Sequence, residues 1–515
     1  WPETAPKQQP RRNPIDPASR QNKLLAITLA LLMVFAGRLV YVQVIAGPAI
    51  AAQALDSRLR TLTEPATRGD IVDAQGVVLA TSIETYRVVA NQRLIAEWQA
   101  TDESGTVIAA GAAGAARLLA PYLEPINGMS APELGARLVG DRQYVVLAKD
   151  VSPQVWAEIR ELRISGITAE LTSDRWYPNG NTAGNVLGFV SAEGEGQAGI
   201  EQTYEALLAG VPGEVSFEVS AGLNPQPIPG TEHNTVTAIT GDTLHLTIDR
   251  DIQWKAQELI DTRVAQTGAT WGSVVVLDVN TGALLALVDS GAVDPNNPGA
   301  TAAEDRGLRS LSAMFDPGST AKVITMAALI EEGLAQPLDQ FVVPDTYTTA
   351  NNQVFSDSHS HPPLNLTLNG ILAESSNAGT VMVGERLTPE QRHDWFAAFG
   401  FGQPTGLGLP GESAGLLGSA ESWDGRTKYA VMFGQGLSAT ALQAVQVFAT
   451  IANDGIRTSP SIVAGTTSAD GVYTPVDPPL QTRVISEETA QTVLTMLESV
   501  VDEGTGSLAN VPGYR

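Results

Sequence analysis

Cysteine is absent from the 515 residues, which removes disulfides, thiolate metal sites and a cysteine nucleophile together. Lysine and histidine are scarce, with six lysines (7, 23, 149, 255, 322 and 428) and five histidines (233, 245, 359, 361 and 393). The net charge is −25, and a surface that acidic repels a phosphate backbone, so no nucleic acid partner is expected. The pattern G-x-x-x-x-G-K-[ST] is missing, which leaves a P-loop nucleotide site without support. Internal repeats and long low-complexity tracts are missing too. What is present is 43% apolar residues, too many for a disordered chain. At ~100–200 residues per domain, the length allows two to four domains with real cores.

The charge is unevenly spread. Lys7, Arg11, Arg12, Arg20 and Lys23 against Glu3 and Asp16 give residues 1–23 a net +3, so the remainder carries −28. Pro2, Pro6, Pro10, Pro14 and Pro17 interrupt this segment, which reads as a disordered basic stub. Residues 24–46 follow as LLAITLALLMVFAGRLVYVQVIA. As a helix at ~1.5 Å per residue they reach ~34 Å, enough for a ~30 Å hydrocarbon core. No second run of comparable length follows, so a single-pass protein is expected. The basic stub predicts a cytoplasmic N-terminus and an extracytoplasmic bulk. The competing reading is a cleaved signal peptide. Ala49-Ile50-Ala51 fits its cleavage site, but the apolar run is longer than a usual h-region, and an uncleaved anchor is expected. Arg38, inside the span, costs ~2.5–3.5 kcal/mol on insertion scales. It either snorkels toward the outer headgroups or pairs with a polar group of another membrane protein.

Beyond the span, residues 86–90 and 144–148 read as strands, and residues 152–162 as a helix capped by Ser152 with Pro153 at its first position. The Gly/Pro-rich stretch 222–230 reads as a junction. Residue 236 opens a larger domain, with a strand over 244–248 and then a helix capped by Asp251. Ile252, Ala256, Leu259, Ile260 and Val264 make its expected apolar face, and Gly268 stops it. Residues 273–279 and 283–289 flank Asn280-Thr281-Gly282, a hairpin signal. Strands followed by many helices suggest helices packed on an antiparallel sheet.

The chemistry concentrates in Phe315-Asp316-Pro317-Gly318-Ser319-Thr320-Ala321-Lys322. The apolar run 323–330 reads as a buried helix ending near Gly333, with Ser319 at its start. The positive end of the macrodipole then lies beside the serine oxygen, and Lys322 lies one turn on, on the same face. A serine hydroxyl is a weak nucleophile until a base takes its proton. Lysine does so near neutrality only where burial depresses its pKa from ~10.4. The bland alternative is a serine N-cap beside a solvated lysine. A second element is Ser375-Ser376-Asn377, expected just after a helix over 366–374. There Ser375 is placed to relay a proton and Asn377 to hydrogen-bond a substrate amide.

With S-x-x-K and S-x-N in place, the sequence resembles the penicillin-binding protein and serine β-lactamase superfamily, and more closely a class B penicillin-binding protein of the cell-division type. Arg68-Gly69-Asp70-Ile71-Val72-Asp73, Arg175-Trp176-Tyr177-Pro178, Gly188-Phe189-Val190 and Gly199-Ile200-Glu201 are similar to the family's pedestal motifs. The segment from Phe433-Gly434-Gln435-Gly436 to Leu437-Ser438-Ala439-Thr440 is similar to its G-x-G-x-S-x-T stretch. The resemblance implies an α+β fold: a membrane helix, an elongated α+β pedestal, then a transpeptidase domain with an antiparallel sheet flanked by helices. The implied bounds are 1–23 stub, 24–46 span, 47–235 pedestal and 236–515 transpeptidase domain. The implied activity is D,D-transpeptidation of peptidoglycan through Ser319, Lys322, Ser375 and Asn377, with no cofactor and no metal. The implied partners are stem peptides ending in D-Ala-D-Ala, β-lactams, a polytopic membrane glycosyltransferase and other division proteins.

One part of the pattern is missing. None of the six lysines is followed by Thr-Gly, and Gly504-Thr505-Gly506 lacks the cation. The last residues, Ala509-Asn510-Val511-Pro512-Gly513-Tyr514-Arg515, are similar to the segment that leads into the family's K-T-G strand. A chain truncated at its C-terminus is therefore expected, and Trp1 in place of Met raises the same expectation for the N-terminus. Losing an oxyanion donor from that strand costs ~10²–10³ in rate by analogy, so these 515 residues alone are expected to be inactive. A catalytically incomplete division scaffold, or a membrane-bound β-lactam sensor or β-lactamase, are the rival readings. Asp357-Ser358-His359-Ser360-His361 is the one histidine cluster, and its spacing fits loop hydrogen bonding better than a metal site.

Overall fold

A computed structural model describes residues 17–56, 58–102, 104–220 and 227–514. Residues 1–16 of the basic stub and residues 222–226 of the Gly/Pro stretch lie outside the described residues. Contacts divide the chain into one unit of residues 1–64 and 212–237 and another of residues 65–211 and 238–515.

In the first unit, α1 (Pro17–Val40) runs on into a π-helical turn at Tyr41–Ile45. Together, Ala18–Ile45 form 28 helical residues, unburied, whose most apolar 18-residue window has a mean hydropathy of 2.2, long and apolar enough to cross a membrane. The helix begins earlier than the apolar run, because proline at a first helical position forfeits no hydrogen bond. Pro17 thus starts a helix where the stub was expected to be disordered. The Arg38 guanidinium lies 5.3 Å from the centre of the Tyr41 ring. The same unit holds an antiparallel sheet in the order Leu59–Glu64, Gly213–Val219, Pro227–Val236.

The second unit is built on a seven-stranded sheet. Its strands are β1 (Ile71–Val72), β2 (Val78–Ala90), β3 (Val145–Val151), β4 (Ile167–Trp176) and β5 (Thr243–Leu246). Later in the chain come β6 (Ser273–Leu277) and β7 (Leu284–Asp289), a separate antiparallel hairpin, and then β8 (Val463–Thr467) and β9 (Tyr473–Pro475). The large sheet runs β9-β8-β5-β1-β2-β3, with β4 also paired to β2, and so joins strands from both sides of residue 236. Ile71, Leu79, Leu244, Leu246, Leu284 and Leu287 share one core beneath it.

Three of the sequence motifs meet in this core on one carboxylate. Glu201, 0% exposed, accepts from Arg68 Nε at 2.6 Å, Arg175 Nε at 2.7 Å and the Tyr177 hydroxyl at 3.2 Å. Arg68 also reaches Glu205 at 2.8 Å. Two guanidinium groups against two carboxylates leave the cluster neutral, the condition under which buried charge is tolerated.

Helix α2 (Arg250–Thr267) differs from expectation in two ways. Asp249, not Asp251, caps it, accepting from the amides of Asp251 and Ile252. Asp251 instead pairs with Arg250. The buried stripe is Gln253, Ala256 and Gln257, while Ile252 and Leu259 are exposed. The reason is the edge of β7, whose backbone needs partners. Gln253 Nε2 donates to Leu287 O at 2.9 Å while its Oε1 accepts from Leu287 N at 2.8 Å.

The site-bearing elements are α3 (Thr320–Glu331), α4 (Leu368–Ala373), α5 (Asn377–Gly384), α6 (Ala441–Ala452) and α7 (Glu487–Asp502). Residues 321–329 of α3 are all buried, as an apolar-all-round helix must be. It packs against α5, α6, α7 and the turn Val431–Phe433. Residues 366–367, expected as helix, close the strand Leu364–Thr367 that pairs with Gln340–Val343. The Thr367 hydroxyl then caps α4.

Candidate active site

Ser319 sits at the head of α3 with φ −61° and ψ −14°, already helical, and its side chain makes no cap. The hydroxyl is thereby left for other chemistry, and the alternative of a serine N-cap is excluded. What holds the turn is a close backbone approach. Gly318 (φ +58°) donates to Gly434 O at 3.1 Å, and Gly434 has φ +81°. A Cβ on Gly434 would lie 2.1 Å from Gly318 O, so the glycine of the 433–440 segment is there to let the two loops touch. Phe315 and Ala439 exchange both backbone hydrogen bonds, at 3.0 and 2.9 Å, on the approach to Ser319.

Lys322 is 1% exposed, which excludes a solvated lysine. Its Nζ lies 3.2 Å from Ser319 Oγ, 3.0 Å from Ser375 Oγ and 2.5 Å from Ser375 O. Ser375 Oγ in turn donates to Ser319 Oγ at 2.9 Å. The four predicted residues therefore converge in part: Ser319, Lys322 and Ser375 form a closed hydrogen-bonded triangle around an exposed hydroxyl. Asn377 stands beside it at the start of α5, donating to Ser356 O at 3.2 Å. Burial drives the Lys322 pKa down from 10.5 to about 8, against the opposing pull of Asp357. A shift of that size raises the neutral fraction at pH 7 by ~300-fold. An amine that is neutral, buried and 3.2 Å from a hydroxyl is placed to take its proton.

One partner of the site, Asp357, showed in the sequence only as part of a polar loop. Asp357 accepts from the Ser376 hydroxyl at 2.7 Å and from Ala378 N at 2.9 Å, and so fastens the turn that displays Ser375 and Asn377. Ser375 takes φ +54° there, an uncommon conformation for a residue with a side chain. Ser376 also caps α5 by accepting from Gly379 N at 2.8 Å. The contacts of Asp357 span 19 and 21 residues, which no spacing rule reveals.

The model of the penicillin binding protein transpeptidase domain matches residues 272–515, and that of the penicillin-binding protein dimerisation domain matches residues 63–246. Penicillin-binding protein PbpB of Mycobacterium tuberculosis is 35% identical over 500 residues, covering 95% of this chain and 73% of that protein. The chain belongs to the class B penicillin-binding proteins. Another relative of this class is the peptidoglycan D,D-transpeptidase FtsI of Escherichia coli, 30% identical over 95% of this chain and 78% of its own length. Among solved structures, penicillin-binding protein 3 from Mycobacterium tuberculosis in complex with aztreonam aligns with a TM-score of 0.65 and 31% identity, over 88% of this chain and 81% of that one.

Proposed function

We propose that this class B penicillin-binding protein is a peptidoglycan D,D-transpeptidase of the division type, carried by the Ser319–Lys322–Ser375 triangle. Ser319 Oγ gives its proton to neutral Lys322 Nζ and bonds the carbonyl carbon that precedes a terminal D-Ala. The oxyanion forms beside the Ser319 amide at the positive end of α3. The C–N bond breaks, Lys322 returns the proton through the Ser375 hydroxyl to the leaving amine, and free D-Ala departs. An amine of a neighbouring strand then attacks the ester, passes its proton back the same way and restores Ser319. Asn377 holds the substrate's amide. β-Lactams enter the first half of this path and stay on Ser319.

The proposed layout is a cytoplasmic stub (1–23), one membrane span (24–46), an extracytoplasmic pedestal (47–235) and a transpeptidase domain (236–515). The span and Arg38 would meet a polytopic glycosyltransferase. The proposal extends to the missing Lys-Thr-Gly: without a cation to hold the substrate carboxylate and a second oxyanion N–H, these residues alone acylate slowly. The test is penicillin acylation of this chain against one carried past Arg515 to a Lys-Thr-Gly segment. A gain of ~10² or more on extension supports the proposal, and equal rates refute its last part. No acylation in either supports the scaffold reading instead.

A further inference from the structure

The loop of Asp357 carries a feature that the reaction above does not use. His361 Nε2 lies 3.0 Å from Asp357 Oδ2, and its Nδ1 lies 2.8 Å from Pro362 O. A carbonyl and an ionised carboxylate only accept, so both ring nitrogens must donate, and the state that satisfies the site is the imidazolium. The pair is nearly enclosed, with side chains 10% and 7% exposed. Charged or titratable groups near it include Asp345, which accepts from Ser360 at 2.6 Å, His359, whose ring centre is 5.8 Å from that of His361, and Lys322, on which the charge of Asp357 acts. The Pro362 carbonyl and Asp357 both push the His361 pKa up.

Asp357 is therefore caught between two demands. Its carboxylate anchors the Ser375–Asn377 turn, yet its charge favours the protonated form of Lys322, the form that is no base. We propose that His361 is a positioning residue whose imidazolium balances Asp357, so that the carboxylate holds the turn without returning a proton to Lys322. This inference rests on the reading of Lys322 as the base. Loss of the His361 charge leaves Asp357 unbalanced and makes Lys322 a poorer base at neutral pH.

The test reads protonation directly and needs no turnover. With only six lysines and five histidines, ¹³Cε-lysine and ¹⁵N-histidine NMR resolve both groups in this chain, Lys322 being assigned by its loss in K322R. The expected results are His361 doubly protonated at pH 7 and a neutral fraction of Lys322 that falls about threefold in His361→Gln. It should rise in Asp357→Asn, and the double variant should match Asp357→Asn, where His361 has already lost its partner. A neutral His361 ring at pH 7 overturns the inference even where no variant folds. An unchanged Lys322 in His361→Gln also overturns it, and leaves the base in place. A Lys322 that titrates near 10.5 in the unaltered chain removes the underlying reading as well.

Discussion

At the scale of single residues, the account depends on one amine and one hydroxyl. Ser319→Ala should abolish covalent labelling by penicillin, whereas Lys322→Met should slow it by ~10²–10⁴, the range of a lost general base. In a chain that acylates, the rate should climb with pH and level off above about 8, where Lys322 loses its proton. The same shift acts on stability with a definite sign. Between about pH 8 and 10.5 the unfolded lysine holds a proton that the folded one has released. Unfolding takes up protons in that window, so the lysine's contribution to stability grows as pH rises. Any advantage of Lys322→Met over the parent should therefore be greatest below pH 8 and shrink by up to ~3 kcal/mol toward pH 10.5. Melting temperatures of the two proteins across that range check it. The proximity of Ser319 and Lys322 was legible from spacing, since residues three apart on a helix share a face, while the burial of Lys322 had to come from the fold. Asp357 and His361 were visible only as a polar loop, because their roles arise from contacts that the fold makes.

At the scale of elements, the closest constraint is the approach of two loops. Gly434→Ala places a methyl group against Gly318 O and forces a positive φ on alanine. It should destabilise the protein by more than ~2 kcal/mol and slow acylation as well, because the displaced turn carries Ser319. Denaturant titration alongside penicillin labelling measures both. In the pedestal cluster, Glu201→Gln leaves Arg68 and Arg175 buried without their shared counter-charge, and should cost ~3–5 kcal/mol. The half-exposed Glu205 should cost much less when changed in the same way. The hairpin of β6 and β7, the buried helix α3 and the Ser152-capped helix Pro153–Glu161 were all readable, because local turn and capping chemistry specifies them. The inward face of α2 was not. Apolar periodicity selected Ile252 and Leu259, whereas the unpaired edge of β7 demanded the amide of Gln253. Hydrogen-bond need overrode hydropathy there, and sequence patterns carry no record of a sheet edge.

At the scale of the whole molecule, the proposed reaction comes down to where a β-lactam attaches. The seven-stranded sheet was beyond sequence reasoning, since its parallel pairing of β1 with β5 joins residues 71–72 to 244–245, which lie far apart in the chain. The triangle of Ser319, Lys322 and Ser375 was within it. The most direct test is to incubate the chain, carried past Arg515 to a Lys-Thr-Gly segment, with penicillin and map the adduct by mass spectrometry. The account predicts one acyl group, on the peptide that contains Ser319 and on that oxygen. An adduct on any other residue, or none at all, would contradict it.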